Sequence, residues 1–265
     1  KTARFLLKAT TNACFKCHTR QNLGPHSVRW SNFNVDSIKT TTIEKVHLLV
    51  SMRQYEKAKS KLSDFLKDRE YERIFDVKYE VALRYYVMIS LRGQKQWQTS
   101  LKFLRSKSLV SGIPTRLKFT IKHWLQDLDR WIQNKKRVKL DIKAAKLVLK
   151  DNRGRDDDRN LINNLIASQI LHDNQSTQPS NLEKAKVYLL LGGIYDQLIS
   201  VGYWDLPETY YESCIRYAPN TSVARQCFKK FKNNITLGYS GSRGTFIPVD
   251  EYKRIEKLRK ISGLK

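Results

Sequence analysis

Apolar residues recur every three to four positions from about residue 40 to residue 235, and this period constrains the fold more than any other feature of the chain. The segment RLKFTIKHWLQDLDRWIQ (116–133) is the clearest case, because its apolar residues fall on one side of a helix with 3.6 residues per turn. Similar segments follow one another with short polar connections, and no strand-type alternation of useful length is present. We therefore predict an all-α protein in which successive helices form hairpins.

Three regions of different sequence character follow from this pattern. Residues 1–36 form a short segment with two of the four cysteines, residues 37–236 form the helical domain, and residues 237–265 hold a glycine-rich loop and a C-terminal helix. The loop GYSGSRGTFIP (238–248) neither follows a strand nor carries the Lys-Ser/Thr of a P-loop. We interpret it as an ordered loop rather than a phosphate-binding site.

One predicted helix pair carries a repeat signature. The pattern W-x2-L-G-x2-Y is matched, with Tyr in place of Trp, by Tyr188, Leu191, Gly192 and Tyr195. The later aromatic, small and proline positions of the repeat are occupied by Tyr211, Cys214 and Pro219. This pair resembles a tetratricopeptide repeat. The resemblance implies stacked helical hairpins that dock other proteins, with Gly192 allowing two helices to approach closely. An irregular all-α bundle remains the alternative.

The chain is strongly basic, with 50 Lys and Arg against 25 Asp and Glu and a formal net charge of +25. Such an excess favours acidic partners: an acidic protein, an anionic membrane surface or nucleic acid. Lysines also recur along nearly every predicted helix, so a solvated lysine-rich surface is the simpler interpretation. No apolar run approaches the ~20 residues that a membrane-spanning helix needs.

The stretch Cys14-Phe15-Lys16-Cys17-His18 is the strongest candidate for a chemical site. A zinc site needs four ligands, and neither a second Cys-x-x-Cys nor a His-x3–5-His occurs in the chain. A thioredoxin-like pair belongs at a helix start after a strand, which the pattern does not support. Cys-x-x-Cys-His is the motif of covalent haem c attachment, and we favour that interpretation over a chance pair in a structural helix.

The surroundings of this motif resemble those of c-type cytochromes, since a short amphipathic helix precedes it and Gly24-Pro25 follows. The resemblance implies one haem c, held covalently by Cys14 and Cys17 and ligated by His18 on the proximal side of the iron. It also implies that the Pro25 carbonyl accepts the Nδ1–H of His18. The protein would then carry single electrons rather than act as an enzyme.

The second axial ligand is left open by the sequence. His26 is the nearest candidate in the loop, while Met52 and His47 lie on the first helix that follows. A Pro25 that bonds His18 would hold His26 on the proximal side, which counts against His26. Each of the three can equally be an ordinary surface or core side chain.

The remaining cysteines, Cys214 and Cys227, flank the turn APNTS (218–222) and should lie on antiparallel helices. That geometry can bring their Cα atoms within the ~4.4–6.8 Å that a disulfide requires. The alternative is two buried, unbonded core cysteines. A disulfide and haem c both suit an oxidising compartment, so we expect a bacterial periplasmic protein whose signal peptide has been removed.

The function that these observations favour is electron transfer by a monohaem c-type cytochrome fused to a helical-repeat domain. Its expected partners are an acidic redox protein or the other subunits of a respiratory complex. The rival is a non-enzymatic helical-repeat scaffold whose haem is structural or absent. A nucleic-acid-binding repeat explains the charge but assigns no role to the cysteine motif.

Overall fold

The computed structural model is built almost entirely from helices. It describes residues 9–11, 13–14, 17, 33–67, 77–110, 112–135, 139–152, 159–178, 180–198, 206–242 and 244–264. Within these ranges, strand structure is confined to one short two-stranded antiparallel ribbon. The predicted all-α fold is confirmed.

The described residues fall into two compact units, residues 9–169 and residues 170–264. The helices of the first unit are α1 (Thr42–Ser51), α2 (Tyr55–Lys67), α3 (Val77–Met88), α4 (Trp97–Ser108), α5 (Thr115–Asn134) and α6 (Ile142–Lys150). A 3-10 turn at Val35–Ser37 precedes α1, and α3 continues as a π-helical turn over Ile89–Gly93. The division falls within α7 (Leu161–Asn174).

The second unit continues from the end of α7 through a 3-10 turn at Gln175–Thr177. Its remaining elements are α8 (Asn181–Gln197), α9 (Leu206–Tyr217), α10 (Ser222–Gly238), β1 (Ser240–Gly241), β2 (Gly244–Thr245) and α11 (Val249–Ser262). Helix α9 packs against α8, α10 and α11. The unit is therefore a set of helical hairpins closed by the C-terminal helix.

Helix starts follow directly from local sequence. Thr41 and Glu44 form a capping box at α1, in which the Thr41 hydroxyl accepts from the Glu44 N–H at 3.3 Å and the Glu44 carboxylate accepts from the Thr41 N–H at 3.2 Å. Asp141 caps α6 by accepting from two backbone N–H groups, and Thr221 caps α10 by accepting from the Ala224 N–H at 3.1 Å. These caps satisfy donors that a helix cannot satisfy by itself.

The core of the first unit contains a buried ion pair. Helix α3 is buried on nearly all sides, and two of its buried residues, Glu80 and Arg84, form an ion pair one turn apart. Arg116 on α5 donates to the same carboxylate at 3.0 and 3.2 Å, and the Arg84 guanidinium lies 5.7 Å from the centre of the Trp124 ring. Because a lone buried charge is costly, this pairing is what allows α3 to occupy the core.

Close packing of α8 against α9 depends on Gly192. A Cβ built at this position would lie 2.4 Å from a ring carbon of Tyr211, which is closer than any real contact. Tyr211 is fully buried and belongs to the core cluster that also contains Cys214 and Phe231. The glycine of the repeat signature therefore has the packing role that the sequence predicts for it.

We expect Gly192→Ala to lower the free energy of unfolding by about 1–3 kcal/mol, the usual cost of overpacking a core. Gly193→Ala is the matched control, because its Cβ would lie 4.0 Å from the Tyr211 hydroxyl and in open space otherwise. Alanine has the higher helix propensity, so the control should be neutral or stabilising. Denaturant unfolding of both variants measures the difference. Equal effects would show that the contact with Tyr211 does not limit the packing.

The sequence predicts most helices within a few residues. The apolar period predicts a helix over residues 77–93 that ends at Gly93, and α3 with its π-helical turn covers this range. The same period predicts a helix over residues 138–150 and a turn at 201–207, and here two boundaries differ. Helix α6 begins at Ile142, and α9 begins at Leu206, inside the predicted turn. The division between the two compact units, at residues 169/170, lies inside the predicted helical domain 37–236. The predicted domain boundaries at 36/37 and 236/237 rest on changes in sequence composition and stay predictions.

None of the helices in the described part of the chain combines the length and the apolar composition that crossing a bilayer requires.

Candidate functional site

The two thiols of the Cys-x-x-Cys-His motif have helical backbone in the structure. Ala13, Cys14 and Cys17 are all helical, and residues 9–11 before them are helical as well. Cys14 is half-buried, Cys17 is exposed, and neither forms a disulfide. Because i and i+3 neighbour each other on a helix surface, both thiols can reach the same bound group.

The other predicted members of this site, His18, Pro25 and His26, lie outside the described residues. The proximal ligation by His18, its bond to the Pro25 carbonyl and the distal role of His26 therefore stay predictions. Within the described ranges, no three His, Cys, Asp or Glu side chains gather into a group that could hold a metal ion.

The two further distal candidates lie at different depths on α1. Met52 caps the C-terminus of this helix and is buried in the core of the first unit. His47 is half-buried, and its Nδ1 lies 2.6 Å from the Tyr85 hydroxyl. Burial raises the pKa of Tyr85, so this hydroxyl stays protonated at neutral pH.

Burial counts against iron ligation by either candidate. A histidine that binds iron through one ring nitrogen usually bonds a protein group through the other, and the Tyr85 contact at Nδ1 of His47 is compatible with that arrangement. The Nε2 that would meet the iron is itself buried, however. Met52 would have to leave the core to reach a ligand, and burial of its side chain opposes this. Both assignments stay predictions.

The second cysteine pair is bonded in the structure. The Sγ atoms of Cys214 and Cys227 lie 1.98 Å apart and their Cα atoms 6.3 Å apart. Cys214 is on α9 and Cys227 is on α10, the two helices that flank the turn at 218–221. Both residues are fully buried in the core of the second unit. The geometry is the one expected from their positions in the sequence.

Removing this bond should destabilise the protein. The bond closes a loop with a sequence separation of 13, for which the chain-entropy model gives about 3 kcal/mol. Cys214→Ala with Cys227→Ala should therefore lower the free energy of unfolding by about this amount, as measured by denaturant titration. Cys14→Ser with Cys17→Ser, compared with wild type on protein produced without haem maturation, is the control and should have little effect. Alkylation of Cys214 and Cys227 in the native protein without prior reduction would contradict the bond.

A network of charges connects the C-terminal helix to α9. The Arg254 guanidinium donates to the Glu212 carboxylate at 2.9 and 2.6 Å, and Arg216 donates to the other oxygen at 2.9 and 2.6 Å. Burial raises the pKa of Glu212, but the bonds from the two arginines together outweigh it, so the pKa lies below its ordinary value. Arg254 also lies 4.9 Å from the centre of the Phe231 ring.

The direction of this pKa shift predicts a pH dependence of stability. A carboxylate whose pKa is lowered by folding stabilises the protein above its unfolded pKa of about 4.3, and this contribution is lost as the pH falls through the folded pKa. Glu212→Gln should therefore destabilise the protein at neutral pH, with the difference from wild type shrinking below about pH 4. Glu183→Gln is the control, because Glu183 forms a surface ion pair with Lys186, at 2.6 Å, on the same helix. Thermal unfolding from pH 3 to pH 7 tests this, and a pH-independent difference would contradict it.

The structure also brings together a cluster that the sequence does not indicate. His172 at the end of α7 is buried, and its Nε2 lies 2.9 Å from the Tyr195 hydroxyl and 3.2 Å from the Tyr210 hydroxyl. The two tyrosine rings stack with centroids 5.2 Å apart. The residues are 15 to 38 positions apart in the chain, so no local pattern predicts the cluster. The Nε2 of His172 and the two tyrosine hydroxyls contact one another in the core, which is a packing role.

The chain matches no protein-family model, and no curated protein or solved structure is significantly similar to it. Its class is therefore defined by its own fold as an all-α protein of paired helices with an N-terminal Cys-x-x-Cys-His motif.

Proposed function

We propose that this chain is a monohaem c-type cytochrome that transfers single electrons. The observation that carries the proposal is the pair of unbonded thiols, three residues apart on helical backbone, with a histidine directly after the second. These residues fit covalent haem attachment, because both thiols are free to react and the histidine is adjacent to them.

Four residues of the motif region would hold the haem, directly or through a neighbouring side chain. Each thiol would add across one vinyl group, with sulfur bonding to one carbon and its hydrogen passing to the other. His18 would hold the iron on one side, and Pro25 would orient the imidazole. Bound in this way, haem supplies one-electron redox chemistry. The protein would set the orientation and potential of the cofactor rather than make or break substrate bonds.

The proposed setting is the bacterial periplasm. The buried disulfide supports an oxidising compartment, where such bonds persist. The charge of +25 supports an acidic redox protein, or acidic subunits of a redox complex, as partners, and an anionic membrane surface is the other candidate. Lys8, Lys16, Arg20 and Arg29 neighbour the motif in sequence and lie outside the described residues.

A second candidate is a helical-repeat scaffold in which haem is structural or absent. The observation that favours it is the extent of the helical hairpins, which make up nearly all of the described residues. Haem that attaches but does not change its oxidation state with physiological reductants would support the scaffold. Rapid, reversible reduction would support the cytochrome.

Covalent attachment predicts a defined gain in mass. The protein made in a periplasm that can mature c-type cytochromes should carry the mass of one whole haem, because addition to vinyl groups releases no atoms. Cys14→Ser with Cys17→Ser should abolish this gain. Cys214→Ala with Cys227→Ala is the matched control and should retain it. Intact-mass spectrometry distinguishes the variants, and an unmodified wild-type chain would overturn the proposal.

A further inference from the structure

The C-terminal part of the second unit exposes an unusual concentration of apolar side chains. Five of them occur within sixteen residues of sequence, with exposed fractions between 40% and 86%: Leu237 (75%), Tyr239 (40%), Phe246 (86%), Val249 (69%) and Tyr252 (59%). We call this set the ribbon patch. Isolated exposed apolar residues are normal on proteins, whereas exposed apolar residues that are grouped together are typical of an interaction site.

The ribbon patch is held by regular structure. Tyr239 and Phe246 lie opposite each other at the open end of the β1–β2 ribbon, and the Phe246 N–H donates to the Tyr239 carbonyl at 3.0 Å. The hydroxyls of Ser240 and Thr245 bond across the next pair at 2.7 Å. Val249 and Tyr252 are three residues apart in the first turn of α11 and so neighbour each other on its surface. The backbone that carries the patch is therefore ordered without a partner.

Lysines extend the patch along both adjoining helices. Lys230 is seven residues before Leu237 on α10, which puts both on one side of that helix. Lys253, Lys257 and Lys260 continue from Val249 at helical spacing along α11. All four are exposed, and none forms an ion pair within the described residues.

The acidic residues nearby do not neutralise these lysines. Glu251 and Glu256 on α11 pair with Arg254 and Arg259 of the same helix. Asp250, which is exposed in the first turn, is the one acidic residue of α11 without an ion pair in the described region, so a single carboxylate stands against four lysines. The lysine charges are therefore directed to solvent beside an apolar patch. A surface that combines exposed aromatic rings with unpaired positive charge is complementary to a partner with the opposite charge and its own apolar groups.

We propose that the ribbon patch and its lysines dock an acidic segment of another protein, one in which apolar side chains alternate with carboxylates. A second copy of this chain is disfavoured, because it carries the same charge of +25. A lipid surface is tested separately, because exposed aromatic rings beside lysines also suit an anionic membrane interface. This proposal shares with the proposed function the expectation of an acidic partner, but it does not require haem.

A designed probe tests this docking surface in the full-length protein. The probe is a fluorescent peptide in which Glu alternates with Leu and Phe, and two matched peptides replace either every Glu with Gln or every apolar residue with Ser. Fluorescence anisotropy should show binding of the first peptide only, weakening as ionic strength rises because salt screens exposed charges. Vesicles of equal phosphatidylcholine and phosphatidylglycerol, and a short oligodeoxythymidine, test the other two classes of partner.

Variants assign the binding to the ribbon patch. Phe246→Ser should weaken binding about tenfold or more, as expected for a central aromatic contact. Its control, Phe119→Ser, changes an exposed phenylalanine of the first unit and should leave the affinity unchanged. Lys253→Glu with Lys257→Glu should also abolish most binding, whereas Lys118→Glu with Lys122→Glu on α5 should not. Circular dichroism and thermal unfolding verify that each variant is folded.

The proposal is overturned if the acidic apolar peptide does not bind, if the control variants lose as much affinity as the patch variants, or if vesicles or the oligonucleotide bind the patch more tightly. Haem content is measured separately by mass, so failure of the docking surface and failure of the cytochrome proposal are distinguishable.

Discussion

The contact between Gly192 and Tyr211 is the constraint on which the rest of the second unit depends. Because no Cβ separates them, α8 and α9 pack closely enough to bury the Tyr211 ring completely. Two further interactions connect α9, in this position, to its other neighbours. The disulfide of Cys214 bonds it to α10, and the hydrogen bonds between Glu212 and Arg254 connect it to α11. A covalent bond, a charge network and an aromatic core thus converge on α9. The ribbon patch lies on α10, α11 and the ribbon that connects them, and α9 packs against both of these helices.

Features that depend on local spacing were predictable from the sequence, and those that depend on distant residues were not. Helical period, caps and the positions of Cys214 and Cys227 lie in short windows, and the structure agrees with them. The glycine-rich stretch was expected to be an ordered loop, but two residue pairs in it form a β-ribbon. Strands of two residues are too short to show the alternation of apolar and polar residues from which a strand is predicted. The pairing of Arg254 with Glu212 spans 42 residues. The exposure of Phe246 is a property of the folded surface, and an apolar residue in sequence predicts burial instead.

The two cysteine pairs support one account of the compartment. A buried disulfide in the second unit favours an oxidising environment. In such an environment, two neighbouring thiols with one of them exposed would tend to oxidise. Under the cytochrome proposal, both sulfur atoms would instead become thioethers of the haem. The proposal thus gives each cysteine pair its own role, one as a disulfide and the other as the attachment point of the cofactor.

The most direct test of the central claim is acid–acetone extraction of the protein purified from its native source, followed by a pyridine haemochrome spectrum of both fractions. If Cys14 and Cys17 bind haem covalently, the haem should stay with the precipitated protein, and its spectrum should be that of a haem whose two vinyl groups are saturated. Haem that passes into the solvent, or a native protein with no haem in either fraction, would contradict the account.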